Sequence, residues 1–247
     1  MLVSIITPTY NSLKFIDETI KSIIDQTYSN WELVITDDCS SDGTWEYLKT
    51  LPKKDDRIKV YRLEKNSGAG IARNNSIMHA IGRYIAFCDS DDKWLPEKLE
   101  KQLKFMDSNN LAFTYSSYQK INELGLERGV VHVPKELTYK MLLKTCPIGC
   151  LTAIYDSQII GKVYMPEIRK RQDYGLWLLI MQKIKQTKGM TEVLALYRER
   201  SNSISSNKFK AALYHYKVLR KVGNVSTIKA WYYFSFYAFL GLQKYLK

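Results

Sequence analysis

Short apolar runs alternate with segments of helical spacing through the first hundred residues of this chain. The apolar runs read LVSIIT, WELVIT, IKVYRL and YIAFCD, and the segments between them read FIDETIKSII, TWEYLKTL and GIARNNSIMHAIG. Strands that alternate with helices form parallel sheets with right-handed crossovers. Because the runs do not alternate strictly between apolar and polar residues, both faces of the sheet should be covered. The pattern therefore predicts a doubly wound α/β fold.

The pattern changes after residue 110. LAFTYSSYQKI, VVHV and LTAIYD are typical of strands, and a helix, QDYGLWLLIMQKI, and a last strand, TEVLALY, follow them. This part predicts a mixed sheet that continues the parallel one. A Ser-rich joint, SNSISSN, then precedes a tail with two helical segments. We expect one domain over 1–205, with halves at 1–110 and 111–205, and a helical appendage over 206–247.

Charge and cysteine content indicate which partners and which cellular compartment suit the chain. The chain has 37 Lys and Arg against 25 Asp and Glu, a net charge of +12, and no acidic residue follows Glu199 although nine Lys or Arg do. Such a tail favours an anionic neighbour, either nucleic acid or an anionic lipid surface, unless it is a solvated pair of helices. The four cysteines lack paired zinc spacing, and the first residues show no signal-peptide pattern. Free thiols and a cytosolic setting are therefore expected.

Carboxylates gather where three of the predicted strands end. The ends of the first, second and fourth strands read TPTYNS, TDDCSSDG and CDSDDKW. In open α/β sheets ligands bind beyond the carboxyl ends of the strands. If these strands are neighbours, one cleft contains Asp37, Asp38, Asp89, Asp91 and Asp92. Oxygen-rich sites of this kind suit Mg²⁺ or Mn²⁺ bridging one or two carboxylates to a diphosphate. The alternative is a solvated turn in which one Asp caps the next helix.

One arginine, Arg73, lies close to the predicted cleft. It falls in NSGAGIARNN, in the first turns of the helix that follows the third strand. The start of that helix also offers backbone N–H donors to an anion. Arg73 is therefore a candidate to meet a phosphate or to pair with Asp38. A purely structural salt bridge is the alternative.

Five segments carry further information through their order and spacing. They read VSIITPTYNS, WELVITDDCSSDGT, NSGAGIARNNSI, YIAFCDSDDKWLPEKLEKQ and RQDYGLW. Together they resemble a family 2 glycosyltransferase of the GT-A fold, of the bacterial polysaccharide type, over roughly residues 1–205. The resemblance implies a GT-A catalytic domain in which 1–110 is the nucleotide-sugar half and 111–205 the acceptor half.

The resemblance implies roles for matching residues on the donor side. Pro8 and Tyr10 line the nucleobase pocket. Asp38 bonds the uracil or its equivalent, and Arg73 borders the nucleotide.

The acidic segment occupies the place of the family's D-x-D-D motif. Asp91 or Asp92 is implied to hold the Mn²⁺ or Mg²⁺ that bridges the diphosphate, and the others, Asp89 among them, meet the ribose or the donor sugar. Relatives carry YR-x-H-x-x-S-x-S after the last core strand, whereas this chain has YRERSNSIS, with Arg200 in place of the histidine. Arginine there suits a direct phosphate contact.

Asp173, in RQDYGLW, matches the carboxylate that the family uses as general base. Inverting transfer needs a carboxylate that takes the proton of the acceptor hydroxyl on the face opposite the leaving nucleoside diphosphate. The alternative for Asp173 is electrostatic stabilisation of a helix N-terminus. The function implied is inverting transfer of a hexose, with glucose or galactose favoured, from a UDP-sugar to a saccharide in a β-linkage. Similar enzymes extend undecaprenyl-diphosphate-linked sugars for O-antigen or capsule.

The aromatic tail predicts contact with a membrane surface. AWYYFSFYAFLGLQKYL has lysines at both ends but is only about 17 residues long, whereas a spanning helix needs roughly 20 apolar residues. Aromatic residues and basic flanks suit the headgroup region of an anionic leaflet. Peripheral attachment to the cytoplasmic face of the inner membrane is expected. Packing against the catalytic domain or another subunit is the alternative.

Two other classes of function stay open from the residues. A Mg²⁺-dependent phosphoryl-transfer enzyme also places an acidic motif after a strand, although usually after the first one. A non-catalytic module that binds a nucleotide-sugar is the other. Nucleic-acid binding is disfavoured, because the clustered carboxylates would repel backbone phosphates.

Overall fold

The computed structural model describes residues 1–200 and 208–243. The strands are β1 (Val3–Thr9), β2 (Trp31–Asp37), β3 (Ile58–Arg62), β4 (Tyr84–Phe87), β5 (Lys93–Trp94), β6 (Phe113–Ile121), β7 (Glu127–Val131), β8 (Glu136–Thr138), β9 (Ile154–Asp156) and β10 (Gln186–Arg198). The helices are α1 (Ile16–Ile24), α2 (Thr44–Leu48), α3 (Ala69–His79), α4 (Lys98–Ser108), α5 (Tyr139–Lys144), α6 (Ser157–Ile160), α7 (Gln172–Ile184), α8 (Lys208–Lys221) and α9 (Thr227–Gln243).

One continuous sheet runs through the domain in the order β3-β2-β1-β4-β9-β6-β10-β5, with β7 paired to β6 and β8 to β10. The pairs among β3, β2, β1 and β4 are parallel. β9 then pairs antiparallel with both β4 and β6, and β10 is parallel to β6. The predicted fold, a doubly wound parallel sheet that continues into a mixed sheet, is confirmed.

Hydrophobic clusters cover both faces of the sheet. In β1, Ile5 packs in one cluster with α1, α2 and α4, whereas Ile6 packs in the other with α3 and α7. Three isoleucines of α1 face the first cluster, Ile16, Ile20 and Ile23. Their spacing places them on one side of the helix. The continuous apolar runs of the sequence are therefore strands buried on both faces.

The two last helices, α8 and α9, form a C-terminal hairpin that packs against α5 and α7. Val218 and Ala230 are buried in the cluster that contains the apolar face of α7. The hydroxyl of Tyr139 in α5 donates to the carbonyl of Gly223 between the two helices at 3.0 Å. One side of the tail therefore contacts the domain, which was the alternative to membrane contact. The Ser-rich joint lies outside the described residues, and the domain boundary near 205 stays a prediction.

Within the part of the chain that the structure describes, no helix is both long and apolar enough to cross a membrane.

Candidate active site

The carboxyl ends of β1, β2 and β4 lie side by side at one edge of the sheet. The three strands are neighbours and parallel, so the loops that follow them meet. The backbone N–H of Asp38 donates to the carbonyl of Thr9 at 2.8 Å. The hydroxyls of Ser12 and Ser90 are 2.8 Å apart and share a hydrogen bond. These loops form the strand-end cleft, and residues 88–92 form its acidic loop.

The predicted nucleobase contacts Pro8 and Tyr10 lie at the end of β1. Pro8 is buried within the strand, and Tyr10 directly after it is exposed. An exposed aromatic ring beside the cleft is available to stack on a base. These two roles stay predictions.

Asp38 holds the turn that begins α3. Its carboxylate oxygens accept the backbone N–H groups of Ser67 at 2.7 Å and Gly68 at 2.8 Å. Gly68 has φ +94°, a conformation that glycine adopts without steric cost. The side chain of Asn66 donates to the Asp38 carbonyl at 3.2 Å. Asp38 is therefore engaged by the turn, and its predicted contact with uracil stays a prediction.

Arg73 pairs with Asp89 in the acidic loop. Its Nη2 lies 2.5 Å from one carboxylate oxygen and 2.7 Å from the other. The arginine is buried. Burial opposes its charge, but Asp89 outweighs burial and raises the pKa of Arg73. The sequence suggested Asp38 as the ion-pair partner of Arg73, whereas in the structure the partner is Asp89.

Asp91 faces Arg200. One carboxylate oxygen of Asp91 lies 3.3 Å from Nη1 of Arg200, whose guanidinium carbon is also 5.3 Å from the centre of the Phe15 ring. Burial and the negative charge of Asp89 raise the pKa of Asp91. Arg200 therefore lies beside the acidic loop.

Asp92 points into the protein. Its side chain is 1% exposed, and Oδ1 accepts the backbone N–H of Arg198 at 2.9 Å. Its own carbonyl accepts the hydroxyl of Thr19 at 2.7 Å. Burial and the charge of Asp91 raise the pKa of Asp92 well above its ordinary value. Asp92 ties the acidic loop to β10, so Asp91 is the more accessible of the two predicted metal ligands.

Arg198 was not identified from the sequence, although it organises the acidic loop. Its side chain donates to the carbonyl of Asp91 at 2.9 Å, to the carbonyl of Glu123 at 3.0 Å and to the carboxylate of Glu18 at 2.8 Å. Directly after the loop, β5 pairs antiparallel with β10. The sequence did contain one signal for Arg198, namely its place at the end of the apolar strand TEVLALYR.

Asp173 lies half-buried in the first turn of α7. Among the described residues its carboxylate has no hydrogen-bond or ion-pair partner. Burial raises the pKa of Cys146 to about 12, and the charge of Asp173 adds to that shift. The same charge contributes to raising the pKa of Cys150 and the pKa of Arg73. Asp173 therefore shares its electrostatic surroundings with the Arg73–Asp89 pair, and the two cysteines are packed thiols.

The acidic loop does not form a complete cation site by itself in the part of the chain that the structure describes. Within the described residues no group of three or more His, Cys, Asp or Glu side chains is arranged to hold a metal ion. Magnesium commonly takes one or two protein carboxylates and completes its shell with phosphate oxygens and water. Asp91, with its partly exposed side chain, fits such a shared site.

Comparisons with known proteins agree with this arrangement. The model of Glycosyl transferase family 2 matches residues 4–161. The chain is 46% identical over 245 residues to the putative teichuronic acid biosynthesis glycosyltransferase TuaG of Bacillus subtilis, with 98% of this chain and 97% of that one covered. It is 40% identical over 244 residues to the UDP-Glc:alpha-D-GlcNAc-diphosphoundecaprenol beta-1,3-glucosyltransferase WfgD of Escherichia coli, with 98% and 94% covered.

A solved structure shares the fold. The crystal structure of S. aureus TarS 1–349 in complex with UDP-GlcNAc superposes with a TM-score of 0.73 at 23% identity, and the match covers 96% of this chain and 72% of that one. Family model, relatives and fold agree, and the chain belongs to glycosyl transferase family 2 with a GT-A fold.

Proposed function

We propose that the protein transfers a hexose, glucose or galactose, from a UDP-sugar to a saccharide acceptor, with inversion to a β-linkage. One observation carries the proposal. The carboxylates of the acidic loop are engaged by arginines or backbone N–H groups, whereas Asp173, in the same electrostatic surroundings, has no partner among the described residues. Glycosyl transfer needs this division, because one set of groups must hold the donor and another must accept a proton.

The donor side combines positive charge with the acidic loop. Arg73 and Arg200 each pair with one of its carboxylates. Guanidinium groups bind phosphate oxygens through paired hydrogen bonds. We assign Arg200 to the diphosphate and Arg73 to the border of the nucleotide. The nucleobase contacts assigned are Pro8, Tyr10 and Asp38, and Asp89 is assigned to the ribose or the sugar.

Mn²⁺ or Mg²⁺ is the proposed cofactor. Asp91 is the favoured ligand because it is the more accessible carboxylate, and Asp92 is the alternative. When bound there, such a cation neutralises charge on the departing diphosphate.

Asp173 is assigned to the proton transfer. The acceptor hydroxyl oxygen attacks the anomeric carbon from the face opposite UDP. The bond from that carbon to the UDP oxygen breaks, and its electron pair leaves with UDP. The hydroxyl proton passes to the carboxylate of Asp173. Attack from the opposite face inverts the anomeric configuration.

The acceptor proposed is a saccharide linked to undecaprenyl diphosphate, in O-antigen or capsule synthesis. The name of the 40% identical relative WfgD specifies an acceptor of that class. The net charge of +12 favours an anionic acceptor as well.

The test is donor binding followed by transfer. UDP-glucose or UDP-galactose should raise the Tm in the presence of Mn²⁺ more than GDP-, TDP- or CMP-sugars do. The preferred donor should then extend GlcNAc-diphosphoundecaprenol, and NMR of the product should show a β-linkage. Binding without transfer to any saccharide would favour a non-catalytic module, and no response to any nucleotide would remove the proposal. Release of phosphate from an aryl phosphate would favour phosphoryl transfer.

The outer face of α9 is proposed to contact the cytoplasmic face of the membrane. Its exposed apolar residues lie on one stripe of the helix, with Ile228 84% and Trp231 58% exposed, and Tyr232 and Phe239 beside them. The hairpin also carries exposed basic side chains, at Lys217, Arg220, Lys221 and Lys229. An aromatic stripe on a basic hairpin suits the interface of an anionic leaflet.

Vesicle binding tests this surface. Burying a large apolar side chain contributes about 1.5–3 kcal/mol, so Trp231→Ser with Phe239→Ser should weaken binding to phosphatidylglycerol vesicles on the order of 10²-fold. The matched control changes two exposed apolar residues elsewhere, Ile81→Ser with Leu124→Ser. Equal vesicle binding by both double variants contradicts the assignment. Concentration-dependent dimerisation that only the first pair abolishes would assign the stripe to a second copy instead.

A further inference from the structure

Arg171, the residue directly before α7, has an unusual backbone. Arg171 has φ +59° and ψ +34°, in the left-handed region, and its carbonyl accepts the N–H of Gly175 at 3.1 Å. For a residue other than glycine this conformation costs about 1–2 kcal/mol. Such backbone persists only where neighbouring contacts hold it. Arg171 lies two residues before Asp173.

The contacts that hold the Arg171 side chain come from the C-terminal hairpin. Its Nη2 donates to the hydroxyl of Tyr237 in α9 at 2.6 Å. Its Nη1 lies 3.5 Å from Nδ1 of His215 in α8. Its guanidinium carbon is 4.9 Å from the centre of the Tyr237 ring. Both helices of the hairpin therefore contact the start of α7.

The partners of Arg171 belong to a buried stack of three rings. His215 is 0% exposed and lies between Tyr174 and Tyr237, with ring centres 4.7 Å and 4.1 Å apart and interplanar angles of 4° and 14°. The hydroxyl of Tyr174 donates to the carbonyl of Leu142 in α5 at 3.1 Å. Burial, together with the charge of Arg171, lowers the pKa of His215 to about 3. A neutral imidazole can accept from the guanidinium, so the stack is complementary to Arg171.

The position of Asp173 depends on this arrangement. Since its carboxylate has no partner among the described residues, no side-chain contact there fixes its direction. Its placement then follows from the backbone of the first turn of α7, which comes directly after Arg171. A displacement of about 1 Å at a reacting group costs up to 10²-fold in rate.

We propose that Arg171 is a positioning residue for the base Asp173, and that Tyr237 and His215 of the C-terminal hairpin hold it in place. The proposal rests on the proposed role of Asp173. It gives the hairpin a part in the transfer step that is separate from any contact with a membrane. The outer stripe of α9 faces away from the domain, whereas Tyr237 and His215 lie on the inner side.

Tyr237→Phe tests the proposal with the smallest change. It removes the hydrogen bond to Arg171 and keeps the ring stack, so kcat should fall roughly tenfold while donor Kd stays unchanged and Tm falls only slightly. Tyr164→Phe, which removes an exposed tyrosine hydroxyl outside the hairpin, should keep the wild-type kcat. Arg171→Gly relieves the backbone strain, because glycine adopts the left-handed region freely. At temperatures far below Tm it should therefore lower kcat while donor Kd stays unchanged, which a purely structural role of the arginine would not produce.

A double-mutant cycle separates this proposal from the base assignment. If the hairpin acts through Asp173, Tyr237→Phe should cause no further loss of residual transfer in an Asp173→Asn background. The same tenfold loss in both backgrounds, or no loss in the wild-type background, overturns the positioning role and leaves the base assignment intact. Normal turnover by Asp173→Asn alone overturns the base assignment, and the positioning role with it. If Tyr237→Phe does not fold, Arg171→Gly takes its place in the cycle.

Discussion

Replacing Asp173 with Asn is expected to lower kcat for sugar transfer by about 10²–10⁴-fold, the usual contribution of a general base. Asparagine is nearly the same size as aspartate but cannot take a proton from the acceptor hydroxyl. Binding of the UDP-sugar should be unchanged, because the groups assigned to the donor lie at the ends of β1, β2, β4 and β10 and in α3, and Asp173 is not one of them. Calorimetry with UDP-glucose and single-turnover transfer measure the two quantities separately.

The control for this variant is Asp17→Asn. Asp17 occupies the first turn of α1 as Asp173 occupies that of α7. Both substitutions remove a negative charge from a helix N-terminus, which contributes typically about 0.3–1 kcal/mol. Similar small losses of stability in both variants, with lost transfer only in Asp173→Asn, assign the proton transfer to Asp173. Full turnover by Asp173→Asn would falsify that assignment and leave only the helix-stabilising role.

The parallel half of the fold could be predicted because each of its strands and helices shows its pattern within a short run of residues. The run from Val3 to Thr9 is buried at every position, and a run of that kind is typical of a strand covered on both faces. The order of β2, β1 and β4 then follows from right-handed crossovers, which brings the acidic segments to one edge. The strand ends indicated the carboxylates of the cleft, and the family resemblance added their individual roles and pointed to Asp173.

The partners within the site could not be predicted in the same way. Arg198 and Asp92 are far apart in the chain, and the contact between the Arg198 N–H and the Asp92 carboxylate depends on β5 pairing with β10. Strand β5 has only two residues, too few to show any periodicity. The pairing of β5 with β10 decides whether Asp91 or Asp92 turns inward. The sequence D-x-D-D would read the same whichever of the two did so.

The sequence of the C-terminal tail did not show which side of α9 packs against the domain. Aromatic residues occur on all sides of α9, so composition cannot distinguish a face for the membrane from a face for the domain. In the structure Tyr237 stacks on His215, whereas Trp231 is exposed. The two alternatives considered for the tail, packing against the domain and contact with a membrane, therefore apply to opposite sides of α9. The structure shows the packed side, and membrane contact of the exposed side is our proposal.

The second large effect is expected from Asp91→Asn. If Asp91 holds the cation, the variant should lose the gain in UDP-sugar affinity that Mn²⁺ gives the wild-type protein. Several kcal/mol of transition-state stabilisation depend on such an ion, so kcat/KM should fall on the order of 10²–10³-fold. Calorimetry with UDP in Mn²⁺ and in EDTA gives a readout that is independent of turnover.

Asp92→Asn is the matched comparison, because it changes the neighbouring carboxylate in the same way. The amide oxygen of asparagine can still accept the N–H of Arg198, which the Asp92 carboxylate accepts at 2.9 Å. The fold of the acidic loop should therefore persist, and the response to Mn²⁺ should be close to that of the wild-type protein. The reverse result, with the Mn²⁺ response kept in Asp91→Asn and lost in Asp92→Asn, would move the ligand to Asp92. It would also require the buried carboxylate to turn outward when the donor binds, which breaks its contact with β10.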